Sequence, residues 1–175
     1  GDGVAFSNTW ANRLENSLNK GVVKAEVLNF GVGGYGMDQA YLRYQKIGKQ
    51  FSPSIVIFGF AIENMLRNLN IFRNIYKRTP QGIVFSKPRF ILDQDGLQIV
   101  NQPTIDPALI SHTLSNLVSS DLKNYETFYS VAQYESQWWH ASKLICLGHA
   151  IFQKIKLNTF NLRSETSQLT IQIIK

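Results

Sequence analysis

The chain has 175 residues, 44% hydrophobic and 17% charged, with 18 Lys and Arg against 12 Asp and Glu for a formal charge of +6. These are globular values that fit one domain, and no apolar run reaches the roughly 18 residues a membrane-spanning helix needs, so no transmembrane segment is expected. The single cysteine, Cys146, excludes an internal disulfide, and with three scattered histidines it makes no metal-ligand spacing, so neither a metal nor a cofactor is expected.

No basic, then apolar, leader precedes the first helix, so no signal peptide is visible, and localisation stays open between cytoplasm and cell envelope. In chain order, Gly1 to Ser7 reads as a loop. Asn8 to Lys20 reads as a helix with Trp10, Leu14 and Leu18 on one stripe and Gly21 just past its end. Val22 to Phe30 reads as a strand, and Asn29-Phe30-Gly31-Val32-Gly33-Gly34-Tyr35-Gly36, with four glycines in eight residues, as a tight loop. A helix follows from Asp38, a plausible N-cap, to Lys49, with Ala40, Tyr44 and Ile47 facing inward. Ser54 to Phe60 is continuously apolar, as a central strand of a parallel sheet would be.

Strand, helix and strand predict a right-handed crossover unit, and in such sheets the turns after the strands build ligand sites. The glycine loop has two readings at this point, a site-forming loop or an ordinary glycine-rich turn without chemistry. Ala61-Ile62-Glu63-Asn64 follows the second strand, and then comes a basic, Asn-rich segment in which regular alternation stops near Thr79-Pro80. From Phe90 to Val100 the pattern alternates around Asp93-Gln94-Asp95-Gly96, which predicts a hairpin. Asp106-Pro107 opens a helix to about Val118, a broken helical region runs from Leu122 to Ile155, and Ser164 to Lys175 reads as a helix in preference to a strand.

Arg67, Arg73, Lys77, Arg78, Lys87 and Arg89 lie between Met65 and Phe90 with no acid among them, and account for the excess charge. A solvated basic face is the first reading, an anionic substrate the second. Nucleic acid is not expected, because no recognisable binding signature accompanies the charge. Trp138, Trp139, His140 and His149 fit packing better than ligand stacking, and Cys146, between Ile145 and Leu147, reads as a small buried hydrophobe.

Asn29 to Gly36 taken with Phe58 to Asn68 (Phe-Gly-Phe-Ala-Ile-Glu-Asn-Met-Leu-Arg-Asn) resembles the SGNH, or GDSL-type, serine esterase family over roughly the first 70 residues. The resemblance implies a three-layer α/β/α, flavodoxin-like parallel sheet, incomplete here and carrying a hairpin and helical insertion. It also implies acyl ester hydrolysis or acyl transfer on a small-molecule, glycan or lipid ester, with Gly34 and Asn64, thirty residues apart, as the oxyanion-hole donors. A non-catalytic binding or structural relative is the competing reading. Nucleotide binding at the loop is a weaker third, since no acidic residue ends the next strand to hold a ribose. Met65 departs from the Asp that related sequences often show after the asparagine.

The family's first block is a Gly-Asp-Ser nucleophile and its last an Asp-x-x-His pair. Gly1-Asp2-Gly3 is a poor match for the first, since Trp10 follows Gly3 by only seven residues where the family has about a dozen, and none of His112, His140 or His149 follows an aspartate by three. The expectation is therefore a single-domain fragment, with a core over 1–70, an insertion over 71–160 and a helix over 161–175, lacking the nucleophile and the base. The 175-residue chain should show no saturable turnover of p-nitrophenyl acetate that a serine-directed phosphonate abolishes; such turnover in a steady-state assay would overturn that expectation.

Overall fold

The computed structural model describes residues 3–22, 24–59, 61–76, 84–159 and 162–174. Gly1, Asp2, Phe60, Lys77, Arg78, Thr79, Pro80 and Lys175, all used in the sequence reading, lie outside the described residues. The chain is about 54% helical, and among the described residues its only sheet is a two-stranded antiparallel hairpin. This overturns the expected three-layer α/β/α parallel sheet.

The reason is visible in where the backbone of the first expected strand finds its partners. Helix α1 (Trp10–Leu18) is capped by Thr9, whose hydroxyl accepts from Asn12 N at 3.4 Å. Ala11 is its buried residue; of the expected stripe Leu14 is half-buried while Trp10 and Leu18 are exposed, and Glu15 with the C-cap Asn19 faces the following segment. Glu15 Oε2 accepts from Val27 N at 2.7 Å, Asn19 Oδ1 from Ala25 N at 2.9 Å, and Asn19 Nδ2 donates to Ala25 O at 2.8 Å. Residues 24–30 thus satisfy polar backbone groups with α1 side chains, where a strand would have used a neighbouring strand. Residues 55–59 likewise form no ladder, and Ile55 stands 78% exposed. Their packed member is Phe58, edge-on to Tyr44 with ring centroids 5.9 Å apart.

The cap of helix α2 (Met37–Lys46) lies two residues earlier than expected: Gly36 is the N-cap and Asp38 lies inside the first turn, fully buried. Residues Ile62–Leu69 form a 3₁₀ helix, and the chain then runs buried through Asn68, Leu69, Asn70, Ile71 and Phe72 into the short helix α3 (Arg73–Tyr76). That spine turns back on itself: Arg73 N donates to Phe85 O and Lys87 N to Ile71 O, each at 2.9 Å, with a bridge between Phe72 and Ser86.

The expected hairpin is present as β1 (Arg89–Asp93) and β2 (Gly96–Val100), registered Phe90 opposite Ile99 and Leu92 opposite Leu97. Asp106 accepts from Ala108 N at 2.8 Å and starts a 3₁₀ turn leading into α4 (Ile110–Ser115). The broken helical region resolves into 3₁₀ turns, α5 (Val131–Tyr134) and α6 (Lys143–Thr159), and the chain closes on α7 (Leu162–Ile174), the helix preferred over a strand.

Two apolar clusters flank the spine. Met37, Leu69, Phe90, Leu169 and Ile173 form one, joining α2, β1 and α7; Ile71, Phe72, Ile110 and Leu117 form the other. Phe90, read as part of an insertion, thus shares a core with Met37 of the first 70 residues.

Glu126 ties the spine down: Oε2 accepts from Ile71 N at 2.7 Å and Phe72 N at 2.8 Å. Burial lifts its carboxyl above the ordinary 4.5, and the amides of Phe72, Ile71 and Phe128 and the Arg89 charge only partly offset this. A raised folded-state value means the stabilisation is complete below pH 4.5 and is lost as pH rises through the raised value. Glu126→Gln removes that titration. Urea unfolding at about pH 4 and about pH 7 should show the parent losing stability relative to the variant as pH rises; a gap independent of pH would contradict the assignment.

Candidate functional site

The glycine loop and the Asn64 segment meet at the start of α2. Gly36 has no side chain to cap that helix, and the cap comes from another part of the chain: Asn68 Oδ1 accepts from Met37 N at 2.9 Å and Asp38 N at 3.4 Å. Gln39 Oε1 accepts from Gly36 N at 3.4 Å, completing the other half of a capping box. A Cβ on Gly36 would lie 2.6 Å from Asp38 Oδ1 and 2.8 Å from Asn68 Oδ1, so the close approach of the two segments requires glycine. Arg67 Nη1 donates to Tyr35 O at 3.2 Å across the same junction.

Gly34 is exposed and takes φ +86°, and Asn64 is half-buried. Side chains three apart on a 3₁₀ helix eclipse one another, so Asn64 shares with Arg67 the face that reaches the glycine loop. Asn64 N donates to Ala61 O at 2.9 Å. Among the described residues neither the Asn64 side-chain amide nor the Gly34 N–H forms a hydrogen bond. Both expected donors are therefore unengaged, on two segments held against each other.

Beneath the junction lies a polar cluster that the sequence reading did not find. Asp38, Asn68, Lys87, Arg89, Glu126 and Thr170 are all buried. Lys87 pairs with Asp38 Oδ2, which Gln39 N reinforces by donating to Oδ1 at 2.7 Å, and Asn68 Nδ2 donates to Thr170 Oγ1 on α7 at 3.0 Å. Burial pushes the Asp38 carboxyl up and the Lys87 ammonium down, and each is pulled back by the opposite charge of the other. Arg89 Nη1 donates to Leu69 O at 2.9 Å, Thr127 Oγ1 at 3.0 Å and Tyr125 O.

This corrects the reading of the basic segment as one solvated face. Lys87 and Arg89 are interior cations holding the hairpin to the spine, and Arg73 lies over the Tyr76 ring at 5.4 Å. Only a signal of pairing could have revealed them, and their partner Asp38 is 49 residues away from Lys87.

The aromatic group behaves as local packing in part. Trp139 contacts His140 and His149, with ring centroids at 4.4 and 4.9 Å, while Trp138 is 86% exposed. Cys146 is half-buried rather than buried, its Sγ 3.7 Å from His140 O. Among the described residues no group of three or more His, Cys, Asp or Glu is placed to hold a metal, and no helix is long and apolar enough to cross a membrane. Compared with known proteins, the chain matches no family model, no curated protein and no solved structure.

Removing one member of a buried ion pair strands the other charge, at a cost of about 3–5 kcal/mol, whereas removing both is far milder. Asp38→Asn and Lys87→Met should each destabilise by that amount, and the double variant by clearly less than the sum. Additive losses in chemical denaturation would mean that the two groups do not share one interaction.

Proposed function

We propose that this chain carries the oxyanion-binding part of an SGNH-type ester hydrolase or acyltransferase, with Gly34 N–H and the Asn64 side-chain amide as the donors. The supporting observation is the unengaged state of both donors on segments joined by Arg67 to Tyr35 and Asn68 to the start of α2. The motif resemblance carries the choice of chemistry.

In acyl transfer a hydroxyl attacks the ester carbonyl, and the carbonyl oxygen gains negative charge that donors about 3 Å away must meet. A glycine amide is unobstructed by a Cβ, and an asparagine amide is a neutral donor that keeps its proton at every working pH. The acyl group would be borne by a small molecule, glycan or lipid. The nucleophile and the Asp-His pair of this chemistry are assigned to no residue of the chain.

The test is made in the full product of the gene, with acyl esters of graded chain length. Asn64→Ala should lower kcat by about 10²–10³-fold with KM nearly unchanged, the signature of an interaction made in the transition state. Asn64→Asp, which replaces the donor by an anion, should be at least as poor. Full activity in Asn64→Ala, or no hydrolysis or acyl transfer with any acyl ester, would reject the reading in favour of a non-catalytic relative.

A further inference from the structure

No described residue of helix α6 belongs to either apolar cluster. Its 17 residues, Lys143–Thr159, extend about 25 Å, and Leu144, Leu147 and Ile151 recur at helical spacing with Phe152 beside them. All four are exposed, Leu144 at 79% and Phe152 at 62%, and Trp138 stands 86% exposed just before the helix. This apolar ridge coincides with a one-signed stretch of sequence. Between Ser136 and Ser164 the chain has Lys143, Lys154, Lys156 and Arg163 and no acidic residue.

Charge decides what can cover the ridge. A second copy of the chain would bring a stretch of the same positive charge against this one, with no acid between Ser136 and Ser164 to pair it, so self-association here is opposed by like charge. A protein partner would need an apolar groove lined with acids. An anionic bilayer surface offers both features without a preformed groove: an acyl region for leucine, isoleucine and phenylalanine, and phosphate headgroups for the lysines. An exposed tryptophan at the end of the helix suits the boundary between the two. At 17 residues the helix is shorter than the roughly 20 that span a bilayer, so it would lie in the surface.

We propose that α6 with Trp138 is a docking surface for an anionic lipid bilayer. The proposal is independent of the ester chemistry, since it uses no residue of the Gly34–Asn64 junction. A lipid-borne ester would, however, be presented to the chain by such docking.

The test is co-sedimentation of the purified chain with vesicles of phosphatidylcholine containing about one third phosphatidylglycerol, against vesicles of phosphatidylcholine alone. Binding should be at least about tenfold stronger to the anionic vesicles and should weaken in high salt. In a Trp10→Phe background the remaining fluorescence should shift to the blue on binding, as Trp138 leaves water. Leu147→Glu with Phe152→Glu should reduce vesicle binding by about tenfold or more while leaving far-UV circular dichroism unchanged. Should that variant lose helix, Lys143→Glu decides instead, by weakening binding to anionic vesicles alone. Equal binding to both vesicle types, binding to neither, or a dimer that the double Glu variant converts to monomer would overturn the proposal, the last by showing a second copy on the ridge.

Discussion

A helix that starts at glycine has unpaired N–H groups and no side chain of its own to receive them, and in this chain Asn68 receives them from thirty-one residues beyond Met37. Its oxygen is used on α2 and its nitrogen on Thr170 of α7, so a single amide joins three separate stretches of sequence. Because Gly36 leaves no room for even a methyl group, the approach is close enough for Arg67 to reach Tyr35 as well. The position of Asp38 then follows, one residue into a helix whose start is fixed. Lys87 must come to it, and Lys87 brings the hairpin.

A buried polar cluster is costly unless each member is satisfied, because the low-dielectric interior magnifies both the bonds made and those missed. Here two charged nodes contact the Asn68-to-Phe72 spine or the helix start next to it. Asp38 and Lys87 sit toward α2, where the helix N-terminus favours the carboxylate. Arg89 and Glu126 bracket the spine itself, Arg89 donating to Leu69 O and Glu126 accepting from the next two amides after Asn70. These bonds serve backbone groups that have no ladder or helix partner. The spine can therefore be buried without being regular structure, and it contributes Leu69 to one apolar cluster and Ile71 and Phe72 to the other.

Elements defined by local chemistry were legible in the sequence. The hairpin was announced by two-residue alternation and a turn ending in Gly96, and the turn into α4 by Asp106 before a proline; both depend on neighbours a few residues away. The two expected strands were not legible, since an apolar run such as Ser54 to Phe60 says only that its residues are hydrophobic. Strand pairing is a fact about a partner, and residues 24–30 found theirs in Glu15 and Asn19 of α1. Charge misled for the same reason: Lys87 and Arg89 carry the same label as a solvated cation until Asp38 and Leu69 are seen beside them. Gly34 and Asn64 enter the candidate site from motif alone, whereas Asn68, which holds their segments together, had no local signal beyond being an asparagine in an Asn-rich run.

The supports also determine how well the site can be held. A 3₁₀ helix of eight residues exceeds the usual three or four, and its strained hydrogen-bond geometry gives it little stability of its own. Its C-terminal end is fastened by Arg67, by Asn68 and by the burial of Leu69, whereas Asn64 lies one turn before these anchors, its N donating to Ala61 O at 2.9 Å. The anchors of this helix therefore lie downstream of Asn64, at Arg67, Asn68 and Leu69. Because Asn68 also bonds Thr170, the anchoring of this helix extends to α7, more than a hundred residues away along the chain. Any loosening of α7 would be felt in the first apolar cluster through Leu169 and Ile173 and at the start of α2 through Thr170 and Asn68.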